Sequence, residues 1–173
     1  MFIVISGTIL LVYAALGFYR GFLASLLHLC STIFSIWVGL QFYGPLSRYL
    51  KLFVPFPKTD AFHMHYALPF KQPENAFNAV ISLLIIMFIV KVLMHVVLDT
   101  FSSLAYRHRN LSSLRILGVI TSLISGVIVL HFIVLLMALY PDALIQSSLQ
   151  HATLTKWFIT DIPILSEITL TLT

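Results

Sequence analysis

ILGVITSLISGVIVLHFIVLLMALY, residues 116–140, contains no Lys, Arg, Asp or Glu. As a helix rising 1.5 Å per residue it spans about 37 Å, enough to cross a hydrocarbon core roughly 30 Å thick. Lipid offers no partner to free N–H and C=O groups, so a single spanning segment must satisfy them internally, as a helix does. Three more stretches have the same character. Residues 2–18 (FIVISGTILLVYAALGF) and 22–43 (FLASLLHLCSTIFSIWVGLQFY) are charge-free, and residues 77–98 (FNAVISLLIIMFIVKVLMHVVL) carry only Lys91. The alternation of period two expected of a membrane barrel is absent. The sequence therefore predicts an all-α polytopic membrane protein, one integral domain over 1–173 with four transmembrane helices.

Composition agrees with that reading. The chain has 173 residues, 60% hydrophobic and 9% charged, against about 25% charged in a soluble domain. Mean hydropathy is +1.01. Too few polar side chains exist to cover a water-soluble globule, which excludes a soluble enzyme and a disordered tail. The single cysteine, Cys30, allows no internal disulfide and no Cys-rich metal site; it reads as a small lipid-buried hydrophobe. Val12-Tyr13-Ala14 has the small-residue pattern of a cleavage site, but no basic n-region precedes it, so the first stretch is expected to be a span rather than a signal peptide.

The connections differ in kind. Tyr19-Arg20-Gly21 predicts a tight hairpin that makes the first two helices antiparallel neighbours. Residues 44–76 hold five of the seven prolines (Pro45, Pro55, Pro57, Pro69, Pro73), which should block a continuous helix. Their aromatics (Tyr49, Phe53, Phe56, Phe62, Tyr66, Phe70) are mixed with Arg48, Lys51, Lys58 and Lys71. Apolar bodies with cationic tips suit the headgroup zone, so this middle connection should lie at the interface. Residues 99–115 form a short polar connection. In the tail, 141–173, Leu149, Ala152, Trp157 and Phe158 outline a weakly amphipathic surface helix that Pro163 would end. Arg20, Arg107, Arg109 and Arg115 crowd the first and third connections. The positive-inside rule then puts those connections in the cytoplasm and both termini outside. The same bias accounts for the +4 net charge without nucleic acid, since no clustered basic stretch exists on a soluble surface.

Small residues mark how the helices meet. Association in lipid depends on close backbone approach, and two ladders are spaced by four: Ser31, Ser35 and Gly39 in the second helix, and Gly118, Ser122 and Gly126 in the fourth. They are expected to stitch the bundle; the sharper alternative is an interface for self-association or for another membrane protein. Lys91, His95 and Asp99 fall at i, i+4 and i+8, hence on one helix face. With His28 of the second helix they should sit roughly 6–12 Å from the same membrane surface, with Arg20 just above. The plainer reading is Lys91 snorkelling past His95 toward Asp99 and the interface, with His131 a neutral imidazole bonded across helices. The functional reading is a polar site for a lipid headgroup, an anion or a proton.

Enzyme signatures are absent. His63 and His65, near Asp60 and Glu74, offer only a weak metal-ligand pattern. No HExxH, GxSxG or P-loop motif occurs. No catalysis, cofactor or metal is expected.

Gly17-Phe18-Tyr19-Arg20-Gly21-Phe22 resembles the GxxRGF hairpin that opens proteins of the CvpA (colicin V production) family. Leu114-Arg115-Ile116-Leu117-Gly118 running to Gly126 is similar to that family's basic residue and leucines before a Gly-rich last helix. Ser147-Ser148-Leu149 through Ile162-Pro163-Ile164-Leu165 resembles its closing segment. Ser122 and Ser125 stand where the family usually has a Gly and an Arg. The resemblance implies a small multi-pass protein of the bacterial cytoplasmic membrane, linked to production or export of colicin V-like toxin and to envelope physiology. As a function of different class, a small oligomeric transporter or channel using His28, Lys91 and His95 stays open.

Overall fold

The computed structural model describes residues 2–53, 56, 73–100, 112–150, 162 and 165–172. The described elements are all helices: α1 (Phe2–Arg20), α2 (Phe22–Phe53), α3 (Pro73–Thr100), α4 (Ser112–Leu139), α5 (Ala143–Gln150) and α6 (Leu165–Leu172). α1 to α4 are the four helices long and apolar enough to cross a membrane, in the order and near the places expected.

The boundaries differ in an instructive way. α2 continues ten residues past Tyr43 and takes Pro45 into its interior, where the proline-rich composition predicted a break. Proline removes one i→i−4 hydrogen bond and crowds the preceding turn. Here Pro45 is exposed, so its ring lies on the outside of the bundle. α3 begins at Pro73 itself. There the missing N–H is one that the first turn leaves unpaired anyway. Lys51 donates to the Asn75 side chain and so ties the end of α2 to the start of α3.

α4 is the centre of the bundle. α1 lies against α4, while α2 packs on both α3 and α4. Gly17 meets Gly118 and Tyr13 meets Gly126, so α1 and α4 run antiparallel. Gly39 faces Leu83 and Met87, and Lys91 reaches His28, so α2 and α3 are antiparallel too. The expectation that α1 and α2 pack as neighbours fails in this respect: they reverse direction at Gly21, yet their main contacts are with other helices. The glycine pair decides this, because α1 comes closest to the backbone of α4.

Two apolar clusters fill the half of the bundle nearer the middle connection. One joins Phe56, Phe77, Val80, Leu130, Leu135 and Leu139 with Leu149 of α5. The other joins Ile36, Leu83, Met87 and Phe132 with Leu165 of α6. Phe56 of the middle connection is buried, with its ring 5.3 Å from that of Phe77. The first described helix of the tail, α5, turns Gln146 and Leu149 inward and leaves Leu144 77% exposed. Asp142 caps α5 by accepting from the Ile145 N–H at 3.0 Å. Gln146 is 2% exposed and donates to the carbonyls of Ala138 and Tyr140 at 3.0 and 2.9 Å. It thereby satisfies the Ala138 carbonyl that the end of α4 leaves open and shares the Tyr140 carbonyl with the Asp142 N–H. Ala152, Trp157, Phe158 and Pro163 lie outside the described residues, as do Pro55, Pro57, Lys58, Asp60, Phe62, His63, His65, Tyr66, Pro69, Phe70, Lys71, Arg107, His108, Arg109 and Lys156.

Candidate functional site

The hairpin motif is built from backbone requirements. Gly21 takes φ 79°, a left-handed conformation that glycine adopts without the steric cost a Cβ brings. Its N–H donates to the Gly17 carbonyl at 3.0 Å, and its own carbonyl accepts from Ser25 at 3.1 Å. One residue thus ends α1, and α2 starts at Phe22. Gly17 is needed for a second reason: a Cβ there would run into the Gly118 carbonyl oxygen and lie 2.7 Å from Ser122 Cβ. Arg115, beside Gly118 in the sequence, sets its guanidinium 5.5 Å from the centre of the Phe18 ring, a cation–π contact across the same joint.

Both small-residue ladders are used within the chain. Gly118, Ser122 and Gly126 accept α1 along Gly17 and Tyr13, and Ser122 Oγ donates to Ser25 Oγ of α2 at 3.2 Å. Ser31, Ser35 and Gly39 are buried, with the Ser35 hydroxyl returned to the Ser31 carbonyl at 2.7 Å. These faces stitch the bundle, so a partner protein finds them already covered.

On the hairpin side of the core lies a cavity of about 300 Å³, bounded by α1 (Tyr13, Leu16, Arg20) and α3 (Phe88, Lys91, Val92, His95, Val96). His28 of α2 and Ser122 and Ser125 of α4 stand behind it. The structure therefore brings Arg20, His28, Lys91 and His95 together, as their depths predicted. The His28 and His95 rings are 5.2 Å apart, and His95 Nε2 is 3.5 Å from Asp99 Oδ2 at the exposed rim. Lys91 behaves otherwise than expected. Instead of snorkelling toward Asp99, its ammonium crosses to α2 and donates to the His28 carbonyl and to Thr32 Oγ1, each at 2.6 Å. Thr32 in turn donates to the same carbonyl at 2.9 Å.

A lysine at the centre of a membrane helix costs about 2.5–3.5 kcal/mol on insertion scales. Two short hydrogen bonds to neutral oxygens offset part of that cost. Thr32 was not singled out by sequence, although it lies one turn from His28 on the same face. Asn78, Ser82 and Gln146, all buried, were likewise missed, because single polar residues in apolar runs carry no spacing signal. His131 is fully buried with its ring edge-on to Phe132 at 5.5 Å.

His28, His95 and Asp99 place potential ligand atoms within 4.8 Å of one another. Arg20 and Lys91 line the adjoining cavity, however, and a dication there would face both. Among the described residues the arrangement favours an anion. On the opposite face of α2 and α4, Ile33, Trp37, Ile124, Ile128 and Leu165 line a wholly apolar groove of about 760 Å³.

Four apolar helices around a buried core, with a basic cavity at one end, define a multi-pass helical membrane protein. Residues 3–163 match the Colicin V production protein family. The chain belongs to that family, as the hairpin and last-helix patterns implied. No curated protein and no solved structure matches it.

Proposed function

We propose that this chain is a non-enzymatic accessory of the bacterial cytoplasmic membrane that supports production or export of a colicin V-like toxin and envelope physiology, with both termini outside. The observation that carries this reading is the family match over nearly the whole chain. The packing is consistent with it: Lys91, Ser122 and Ser125, which line the cavity, are tied to backbone and hydroxyl oxygens of neighbouring turns. Other membrane proteins are the partners proposed, and the open sides of the bundle are where they would dock. In a toxin-producing strain, deletion should lower secreted toxin while leaving intracellular toxin synthesis intact. Unchanged secretion would overturn the reading.

The basic cavity favours a second reading, a small oligomeric transporter or channel. Lys91→Leu separates the two. Loss of function at normal membrane abundance supports transport, whereas full complementation removes the cavity as the working element and favours the accessory role.

A further inference from the structure

We propose that the cavity bounded by Arg20, His28, Lys91 and His95 binds a phosphate group, carried by a lipid headgroup or present as a free anion. The proposal shares its cavity with the transport reading and deepens it, but is tested by binding, so it stands or falls separately from any transport or toxin measurement.

Charge is the first argument. Two basic side chains, Arg20 and Lys91, line the cavity. The carboxylate beside it, Asp99, is already engaged with His95 at 3.5 Å. A site in lipid with surplus positive charge is stabilised by a bound anion far more than the same site in water. Donor count is the second. An ammonium has three N–H donors, and two of those of Lys91 are taken by the His28 carbonyl and Thr32 Oγ1. One remains for a ligand. Arg20 brings a planar fork that matches phosphate oxygens.

The setting is the third argument. The cavity, about 300 Å³, is at the small end of ligand sites. Lys91 lies roughly 12 Å along α3 from Asp99, the depth at which a headgroup drawn inward meets the acyl region. Phe88, Val92 and Val96 border the cavity and are 71%, 46% and 63% exposed. They extend an apolar track outward along which acyl chains would lie.

The test uses the full chain in detergent micelles, probed by native mass spectrometry and thermal unfolding. The probes are phosphatidylglycerol, a diacylglycerol of the same chains that lacks phosphate, and inorganic phosphate against chloride at equal ionic strength. Lipid binding should favour phosphatidylglycerol. Lys91→Met and Arg20→Gln should each weaken it by about tenfold, the scale of one lost charge-assisted hydrogen bond. Because Lys91 also braces α2, Arg20→Gln at the mouth serves as the variant that leaves that brace intact, and Lys51→Met, outside the cavity, should bind as the wild type. A phosphate-specific rise in unfolding temperature, lost in the same two variants, supports the free anion as the source. Equal retention of both lipids without a response to phosphate overturns the proposal. So does a phosphatidylglycerol preference that survives both substitutions. Stabilisation by Zn²⁺ that vanishes in His95→Ala, with no phosphate response, overturns it in favour of a cation.

Discussion

Gly118→Ala adds one methyl group to a helix, and the structure predicts that it loosens the bundle. A Cβ built at Gly118 stands 2.6 Å from the Gly17 carbonyl oxygen, 2.7 Å from the Gly21 carbonyl carbon and 3.0 Å from Gly21 Cα. All three are backbone atoms, so no side chain can rotate away; α1 and the hairpin must move as a unit. Overpacking of this kind costs about 1–3 kcal/mol. Opposing it is the higher helix propensity of alanine, worth roughly 0.5–1 kcal/mol. The clash wins, and the net loss should be about 1–2 kcal/mol, a factor of roughly 5–30 in the folded-to-unfolded ratio.

The other helix glycines supply the scale. Gly7 and Gly44 have nothing within 4 Å of a built Cβ, so alanine there should be neutral or slightly stabilising. Gly39→Ala meets Met87 Cγ at 3.3 Å, a side chain that yields, and should fall between. Gly126→Ala presses on the Tyr13 ring at 2.9 Å and should cost more than Gly39→Ala but less than Gly118→Ala. Reversible unfolding in mixed micelles by SDS titration, followed by circular dichroism, measures the series. If Gly118→Ala unfolds at the same midpoint as Gly44→Ala, the glycine-on-glycine contact is not what holds α1.

Three further outcomes are expected. Gln146→Leu keeps apolar volume but strips the Ala138 carbonyl of its donor and leaves the Tyr140 carbonyl only the Asp142 N–H at 3.0 Å. It should cost about 1–3 kcal/mol in the same titration and raise proteolysis near α5. Gly21→Ala forces a Cβ into a φ of 79° and should cost about 1–2 kcal/mol, an effect that Gly44→Ala must not reproduce. In a Cys30→Ala background, single cysteines at 46 and 150 should react with a membrane-impermeant reagent applied from outside, whereas one at 110 should be protected. The reverse pattern inverts the proposed orientation.

The four spans were legible because lipid imposes one rule on every residue of a span: the single exception, Lys91, stood out against it. The ladders at Gly118, Ser122 and Gly126 and at Ser31, Ser35 and Gly39 were legible for a similar reason, since close approach admits few residue types. What spacing does not encode is which helix fills a ladder. Gly17 is compatible with a hairpin packed on α2, and only the assembled bundle places it on Gly118. Pro45 misled because proline ends helices where the surroundings leave a freed carbonyl unsatisfied. Inside a membrane protein, helices run through proline when local structure accommodates the break.

The direction of Lys91 was illegible for a further reason. Its nearest acceptors, the His28 carbonyl and Thr32 Oγ1, belong to another helix, and a carbonyl leaves no trace in sequence. That contact also links packing to the site. Because Gly17 and Gly118 draw α1 onto α4 while α3 lies on α2, the space between α1 and α3 is left open, and that space is the basic cavity. Ser122 belongs to both systems: it faces Gly17, bonds Ser25 and lines the cavity. A substitution that shifts α1, Gly118→Ala above all, should therefore change ligand affinity along with stability, whereas Gly39→Ala, about 16 Å along α2 from His28, should change only stability.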